Sequence, residues 1–308
     1  MKYLVIGAGG TGGCIGAYMT EAKKDVTMIA RGAHLKAMQK DGLRMETTKK
    51  GNYIVKPVKA SNMEQYDEHP DVIFVCVKGY SLEETIPFIR RVSKPETIVI
   101  PILNLYGTGG KLQEKLPGLL VTDGCIYIAA EIKEPGCLWQ NGDIFRVVFG
   151  VRNPSEYREE LVQIKKDLDD SGITGILSDN IQRDALQKFS YVSPAAACGQ
   201  YYDAMAGQMQ KPGEIRDMFA ALVHEIDLLA SAMGIHFEVD IVKTNLDILD
   251  SLTAKASTSM QRDVKNGKPS EMDGLIFEVI RLGRHYGVTL PVYEKIAEEL
   301  KKRGDRFQ

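Results

Sequence analysis

The sequence predicts an α/β protein in which a doubly wound, mostly parallel sheet is followed by an all-α C-terminal domain. A short apolar strand, residues 1–6, leads directly into a glycine-rich turn. Further apolar runs of strand length alternate with helical patterns, as in βαβ units. From Asn180 onward the pattern changes to long helices. We therefore place the domain boundary near Ser178, with domains at residues 1–178 and 179–308.

The glycine-rich turn has the pattern G-x-G-x-x-G. Gly7 permits a tight turn, Gly9 lets the backbone approach phosphate oxygens, and Gly12 lets the next helix pack closely on the strand. The free N–H groups and the dipole of that helix favour negative charge. The pattern therefore predicts a Rossmann-type site for the pyrophosphate of a dinucleotide, to which we assign Gly7, Gly9, Gly10, Thr11 and Gly12.

A second apolar strand, residues 25–30, ends at Arg31 after a predicted helix over residues 14–24. An arginine about twenty positions beyond the glycines accommodates the 2′-phosphate of NADP, whereas an acidic residue there takes the ribose hydroxyl of NAD. Asp25 precedes the strand and is poorly placed to compete. NADPH is therefore the predicted cofactor. The alternative is that Arg31 is an ordinary solvated arginine in a loop.

Two later strands also end in polar residues. Residues 71–77 form a continuous apolar run that ends at Lys78, and residues 97–103 form another that ends at Asn104. Such runs are typical of parallel strands that are covered on both faces. Ligands bind outside the carboxyl ends of the strands in an open parallel sheet. We therefore expect Arg31, Lys78 and Asn104 to line one rim.

The remaining segments complete the two domains. Residues 42–48 and 53–59 flank the turn KKGN and predict a hairpin inserted in the sheet. Residues 119–150 are expected to complete the same sheet with antiparallel strands. A helix over residues 155–170 and a strand over 173–178 follow. In the C-terminal domain, periodicity predicts helices over residues 180–198, 214–233, 239–251, 271–286 and 291–303.

Composition excludes several classes of function. The net charge of −2, without a basic stripe, argues against nucleic acid or a membrane surface as a partner. The longest apolar runs are far shorter than a membrane span. The five cysteines contain no C-x-x-C and indicate free thiols in a reducing cytoplasm. The five histidines lack metal-ligand spacing, so no dedicated metal site is expected.

Two residues of the C-terminal domain carry the candidate chemistry. By itself, Lys188 would be an ordinary solvated lysine on a helix. Glu271 begins a predicted helix, where a carboxylate complements the helix dipole and Ser270 could be the N-cap. Taken singly, both residues favour a structural interpretation.

Together with the rest of the chain, however, these residues resemble the ketopantoate reductase (2-dehydropantoate 2-reductase) family. The shared features are G-A-G-G-T-G, V-K at 77–78, Asn104, Lys188, and S-M-x-x-D from Ser259 followed by G-K-P-S-E-M-D-G and G-V-x-L-P. They occur in the family's order along essentially the whole chain. The segment 259–291 is the most specific part.

The resemblance implies a role for each matching position. The opening glycines and Arg31 would bind NADPH, with Lys78 near its ribose and nicotinamide end and Asn104 at the same rim. Lys188 would be the general acid, and Glu271 its partner and a contact for the substrate hydroxyl. The residues that would hold the small 2-keto acid substrate are Asn104, Ser259 and Glu271.

The chemistry agrees with these roles. As hydride reaches the keto carbon, negative charge develops on the carbonyl oxygen. An ammonium group can stabilise that charge and then donate its proton.

Four positions depart from the family's pattern, and one of them is Leu105, which follows Asn104 where the family usually has glycine. The lysine-bearing helix usually presents asparagines four and eight residues later, and this chain has Val192 and Ala196 there. A third family asparagine is replaced by Ala256. We expect Val192 and Ala196 to line the substrate pocket, with Ser193 or Tyr191 as partial substitutes for the lost polar groups. A pocket without those groups tolerates apolar substrate side chains better.

Three functional hypotheses follow. The first is NADPH-dependent reduction of ketopantoate to (R)-pantoate, in pantothenate and coenzyme A biosynthesis. The second is a D-2-hydroxyacid dehydrogenase of the same superfamily that acts on branched or aromatic 2-keto acids. The third is a non-catalytic protein that senses the NADP redox state. A homodimer is the candidate assembly, because C-terminal helices often mediate dimers.

Overall fold

The structure is a computed structural model that describes residues 1–303. Its strands, in chain order, are β1 (Lys2–Ile6), β2 (Asp25–Ile29), β3 (Leu43–Thr47), β4 (Gly51–Val55), β5 (Lys59–Ser61), β6 (Val72–Val75), β7 (Ile98–Pro101), β8 (Leu120–Val121), β9 (Asp123–Glu134), β10 (Cys137–Gly150) and β11 (Thr174–Leu177). Its α-helices are α1 (Gly10–Glu21), α2 (Gly32–Asp41), α3 (Leu82–Val92), α4 (Thr108–Lys115), α5 (Glu160–Asp170), α6 (Ile181–Tyr202), α7 (Ala206–Met209), α8 (Glu214–Ala232), α9 (Ile241–Ser251), α10 (Ser259–Lys265), α11 (Glu278–Tyr286) and α12 (Pro291–Lys302).

Internal contacts divide the chain into two units, and the division falls between Ile181 and Gln182. The first unit contains all the described strands and α1 to α5, and the second contains helices from α6 onward. The assignment of cofactor binding to the first unit and of substrate chemistry to the second stays a prediction.

A six-stranded sheet lies at the centre of the first unit. Its strand order is β5-β2-β1-β6-β7-β8, and every neighbouring pair is parallel. Successive side chains of a strand point to opposite faces. Tyr3 and Val5 accordingly belong to one hydrophobic cluster, and Leu4 and Ile6 belong to another. The sheet is therefore covered on both faces, which confirms the predicted doubly wound α/β fold.

A second sheet accounts for the largest difference from the sequence prediction. The hairpin β3–β4 and the long hairpin β9–β10 do not extend the parallel sheet. They form a five-stranded sheet with β11, in the order β11-β10-β3-β4, with β9 also paired to β10. Burial alternates along β3, as in a strand with only one covered face. From residues 119–150 the first sheet takes only β8.

Glycines allow α1 to pack closely on the sheet. A Cβ on Gly12 would lie 2.2 Å from the Gly7 carbonyl oxygen, and one on Gly16 would lie 2.3 Å from Met28 Sδ. The helix begins at Gly10, four residues before the predicted Cys14. The first turn of the helix therefore lies inside the glycine motif.

The second unit is helical, as predicted. The helix predicted over residues 271–286 is not uniform, because Asp273–Phe277 forms a π-helical segment ahead of α11. Across residues 1–303, we find no helix with the length and apolar character that a membrane span needs. Nor does that part of the chain bring three or more His, Cys, Asp or Glu side chains together as a metal site would.

Candidate functional site

The glycine turn leaves open space at one position. Gly7 has a φ of 98°, a left-handed conformation that favours glycine. Its N–H and that of Ala8 both donate to the Ile29 carbonyl oxygen, at 3.1 and 3.0 Å. The next glycine, Gly9, is the N-cap of α1, and a Cβ placed on it would meet nothing within 4 Å. Packing within the protein therefore does not require glycine at position 9.

The N-terminus of α1 is suited to a phosphate. The first turn contains no acidic residue, and its N-cap, Gly9, has no side chain that could cap it. First-turn N–H groups of a helix have no partner within the helix, and the dipole there favours an anion. A Cβ on Gly10 would lie 2.4 Å from the Ala130 carbonyl oxygen on β9, so the second sheet holds this helix end from one side. These features fit the pyrophosphate of a dinucleotide.

Three polar residues follow the carboxyl ends of strands in the parallel sheet. Arg31 follows β2 and is the N-cap of α2, Lys78 follows β6, and Asn104 follows β7. Because these strands are parallel, all three residues lie at the same edge of the sheet. The Arg31 side chain is 85% exposed, and its Nη1 lies 3.8 Å from Glu84 Oε1. Such an exposed ion pair contributes little stability, so little stability would be lost if the Arg31 side chain left Glu84.

A buried ion pair anchors the segment that follows Asn104. This segment leads into α4, where the Gly109 N–H donates to Asp123 Oδ1 at 2.8 Å. Arg152 Nη1 lies 3.4 Å from the other carboxylate oxygen of Asp123. Burial raises the pKa of the Asp123 carboxyl, and the Arg152 charge opposes that rise. The chain around Asn104 is therefore held by β7 on one side and by Asp123 on the other.

The glycine turn also has a side-chain partner that the sequence analysis did not single out. His34 Nε2 on α2 lies 2.9 Å from the carbonyl oxygen of Ala8, inside the glycine motif. A lone histidine carries no motif, and no helix is predicted over α2, so the sequence offered no signal for this contact.

In the second unit, Lys188 lies on α6 and is half-buried. Positions four and eight residues further share its helix face, and these are Val192 and Ala196. Ala196 is fully buried and Val192 is half-buried. Where the family has asparagines, this chain therefore has apolar side chains. They form a stripe along the helix face that carries Lys188.

A proline and an asparagine position α6 near Lys188. Pro194 has no N–H, so the Ser190 carbonyl lacks its donor four residues further along the helix. Asn245 on α9 supplies the missing bond, because its Nδ2 donates to the Ser190 carbonyl oxygen at 3.1 Å and to Ser190 Oγ at 2.9 Å. Asn245 is 1% exposed, so this bond ties α6 to α9 inside the unit, two residues from Lys188.

Ser193 joins α6 to the π-helical segment. Its Oγ lies 2.6 Å from the Leu275 carbonyl oxygen, which can only accept, so the Ser193 hydroxyl donates there. Tyr293 Oη, also 2.6 Å away, then donates to Ser193 Oγ. Ser193 and Tyr293 are both fully buried. The Ser193 hydroxyl is committed to these internal bonds, so it does not replace a family asparagine as a substrate contact.

Glu271 and Ser259 lie at the starts of two helical segments. Glu271 is buried at 6% exposure, and its carbonyl oxygen accepts from the Leu275 N–H at 2.9 Å. The expected N-cap bond from Ser270 is absent, because its Oγ is buried and has no hydrogen-bond partner in the described chain. Ser259 is the first residue of α10, whose N-cap is Thr258 in a capping box with Gln261.

The Ser193–Leu275 bond thus brings the helix of Lys188 against the segment that follows Glu271. In the first unit, the glycine turn lies at the same sheet edge as Arg31, Lys78 and Asn104. The functional roles of all these residues stay predictions.

Comparisons with known proteins place this arrangement in a family. Residues 3–154 match the family model described as ketopantoate reductase PanE/ApbA, and residues 180–304 match the model of its C-terminal part. The chain is 26% identical over 303 residues to the uncharacterized oxidoreductase YkpB of Bacillus subtilis, with 98% of each chain covered.

Two further comparisons agree. The chain is 24% identical to a 2-dehydropantoate 2-reductase of Mesorhizobium japonicum, with 96% of this chain and 95% of that protein covered. Its fold is similar to that of a D-mandelate dehydrogenase solved with NADH and anilino(oxo)acetate, at a TM-score of 0.89, 22% identity and 99% coverage of both chains. Because the two family models together match most of the chain, the predicted resemblance is confirmed: the protein is an oxidoreductase of the ketopantoate reductase family.

Proposed function

We propose that this protein is an NADPH-dependent 2-keto acid reductase that converts ketopantoate to (R)-pantoate. The observation that carries the proposal is the hydrogen bond from Ser193 to Leu275, which packs the Lys188 helix against the segment that begins at Glu271. An ammonium and a buried carboxylate on two adjoining helical segments are the groups that a carbonyl reduction needs.

The cofactor supplies the hydride, and the residues of the chain bind and orient it. First-turn N–H groups of α1 would donate to the pyrophosphate. The pyrophosphate would lie beside Gly9, where the surrounding protein leaves room for a side chain but the residue has none. Arg31 would pair with the 2′-phosphate, which is the basis for proposing NADPH over NADH. Lys78 and Asn104, at the same edge of the sheet, would contact the ribose and nicotinamide end.

Lys188 would act on the substrate oxygen. The carbonyl carbon receives the hydride, the carbonyl oxygen becomes negative, and the Lys188 Nζ donates a proton to it, which yields the alcohol. Glu271 would orient the ammonium and contact a substrate hydroxyl, and Ser259 and Asn104 would hold the substrate. The neutral amine that this transfer leaves on Lys188 takes up a proton from solvent before the next turnover.

Substitutions at two glycines of the motif, Gly9 and Gly12, test ligand binding and packing separately. We expect Gly9→Ala to raise the NADPH dissociation constant by about 10-fold or more, because its methyl group would occupy the space beside charge-assisted donors. Its stability should be unchanged. Gly12→Ala, the matched control, should lose about 1–3 kcal/mol of unfolding free energy, because its Cβ would lie 2.2 Å from the Gly7 oxygen. NADPH fluorescence titration and urea unfolding measure the two effects. An unchanged NADPH affinity in Gly9→Ala would contradict the placement.

A second candidate substrate class is favoured by the apolar stripe on α6. With Val192, Ala196 and Ala256 in place of asparagines, the pocket has fewer groups to bind a 4-hydroxyl and more surface for a branched or aromatic side chain. The protein would then be a D-2-hydroxyacid dehydrogenase with the same proton donor.

A panel of keto acids decides between the candidates. The expected result is the highest kcat/KM for ketopantoate with NADPH, followed at the nicotinamide absorbance band. A clear preference for 2-ketoisovalerate or benzoylformate would establish the second candidate. NADPH binding without oxidation by any keto acid would instead support the redox sensor.

Three further properties belong to the proposal. Activity on ketopantoate would place the enzyme in pantothenate and coenzyme A biosynthesis, in the cytoplasm, where the free cysteines stay reduced. We propose a homodimer, which light scattering at micromolar concentration would test.

A further inference from the structure

His34 connects three parts of the first unit. It lies on α2, its Nε2 is 2.9 Å from the Ala8 carbonyl oxygen, and its Nδ1 is 3.0 Å from the Gly136 backbone nitrogen. Ala8 belongs to the glycine turn, and Gly136 lies in the turn between β9 and β10. The imidazole therefore spans from the second sheet to the predicted pyrophosphate site.

These two backbone partners define the protonation state of the ring. A backbone N–H can only donate, so Nδ1 accepts from Gly136 and carries no proton. A carbonyl oxygen can only accept, so Nε2 carries the proton and donates to Ala8. Burial also lowers the pKa of His34, which favours this neutral form at neutral pH.

The anchor at Gly136 is itself firmly held. Gly136 has a φ of 78°, and a Cβ on it would lie 2.7 Å from the Cβ of Ala37 on α2. Its carbonyl oxygen accepts from the Arg44 N–H at 2.9 Å. The position therefore requires glycine both for its conformation and for the close approach of α2, which holds the His34 ring in place.

The bond to Ala8 orients the peptide group that joins Ala8 to Gly9. In a trans peptide, the carbonyl of one residue and the N–H of the next point in opposite directions. Directing the Ala8 carbonyl toward His34 therefore directs the Gly9 N–H away from it. The Ala8 N–H is also fixed, because it donates to Ile29 at 3.0 Å. The directions of the Ala8 N–H and carbonyl groups are thus fixed before any ligand binds.

We propose that His34 is a positioning residue for the cofactor, which holds the Ala8–Gly9 peptide with its N–H toward the pyrophosphate and links the glycine turn to the helix that begins after Arg31. This proposal depends on the proposed binding of NADPH. His34 touches neither the cofactor nor the substrate in this role and acts through the backbone.

Two amide substitutions separate the two bonds of the ring. Glutamine can place a donor near the position of Nε2 and keep the Ala8 bond, whereas asparagine can place an acceptor near the position of Nδ1 and keep only the Gly136 bond. We expect His34→Ala and His34→Asn to raise the NADPH dissociation constant by about 2- to 13-fold, which corresponds to the loss of one neutral hydrogen bond. His34→Gln should bind NADPH nearly as well as the wild type.

The measurements are NADPH fluorescence titration, kcat at saturating NADPH, and urea unfolding of the full chain. The kcat at saturating NADPH should be the same in every variant. His69→Ala is the matched control, because His69 also contacts a carbonyl, that of Val92 at 2.9 Å, but precedes the amino end of β6 at the opposite edge of the sheet. Its NADPH affinity should be unchanged.

The outcomes distinguish this proposal from the proposed function. Equal NADPH affinity in the asparagine and glutamine variants would overturn the positioning role while leaving NADPH binding intact. A wild-type protein that binds no NADPH would overturn both. A loss of unfolding free energy that is equal in both variants, without a difference in affinity, would make His34 a purely structural residue.

Discussion

Replacing Lys188 with alanine should lower turnover by about 100- to 10,000-fold, the usual contribution of a general acid, while NADPH affinity stays unchanged. The proposed role of Lys188 lies wholly in the chemical step, where its proton neutralises the oxygen as the hydride arrives. Its helix keeps its position in the variant, because Asn245 and Ser193 hold α6 by bonds that do not involve the lysine side chain.

Single-turnover absorbance at the nicotinamide band, with NADPH titrated separately by fluorescence, measures this effect. Lys188→Arg should remain nearly as slow, because arginine keeps the charge but does not release a proton in this pH range. Lys243→Ala on α9 is the matched control, since Lys243 is an exposed lysine that pairs with Asp247 at 2.8 Å. Near-normal turnover in Lys188→Ala would refute the assignment.

Replacing Arg31 with alanine should reduce the preference for NADPH over NADH by about 10- to 150-fold, the worth of hydrogen bonds to a charged phosphate. The NADH dissociation constant should not change, because NADH has no 2′-phosphate. The fold should also be unaffected, since the Arg31 side chain is 85% exposed and its ion pair with Glu84 is 3.8 Å long.

Dissociation constants for both nucleotides, measured with each variant, test this prediction as a ratio. Arg90→Ala is a suitable control, because Arg90 is an exposed arginine of α3 that donates from Nε to the Lys115 carbonyl oxygen at 3.1 Å. That variant should keep the wild-type ratio. If the ratio in Arg31→Ala equals that of the wild type, another group recognises the 2′-phosphate or the enzyme does not discriminate between the cofactors.

Local patterns predicted the strands that build the first site. β1, β6 and β7 are continuous apolar runs, and such runs identify buried parallel strands without knowledge of their partners. The polar residue after each run then lies at a known edge of the sheet. The sheet predicted for β3, β4, β9 and β10 was wrong, because strand pairing is a non-local choice. A turn signal between two strands identifies a hairpin but not the sheet that the hairpin joins, which tertiary packing decides.

The contacts that hold the candidate groups in place carried no sequence signal. The bond between Asn245 and Ser190 exists because Pro194 frees a carbonyl and α9 passes beside it. Periodicity likewise predicted one uniform helix over residues 271–286 and did not distinguish the π-helical segment Asp273–Phe277. Ser193 or Tyr191 was expected to substitute in part for the family's polar groups, yet the Ser193 hydroxyl donates inward to the Leu275 carbonyl oxygen.

The sequence by itself determined the two-part α/β and helical architecture, the glycine turn and the identities of the candidate chemical groups, because these depend on side-chain periodicity and on motifs within single segments. Only the tertiary structure decided which sheet each hairpin joins, how α6 is anchored beside Lys188 and that His34 contacts Ala8. These features join residues far apart in the chain or in different elements. Their free energy comes from burial and hydrogen bonds that exist only after the elements have packed together.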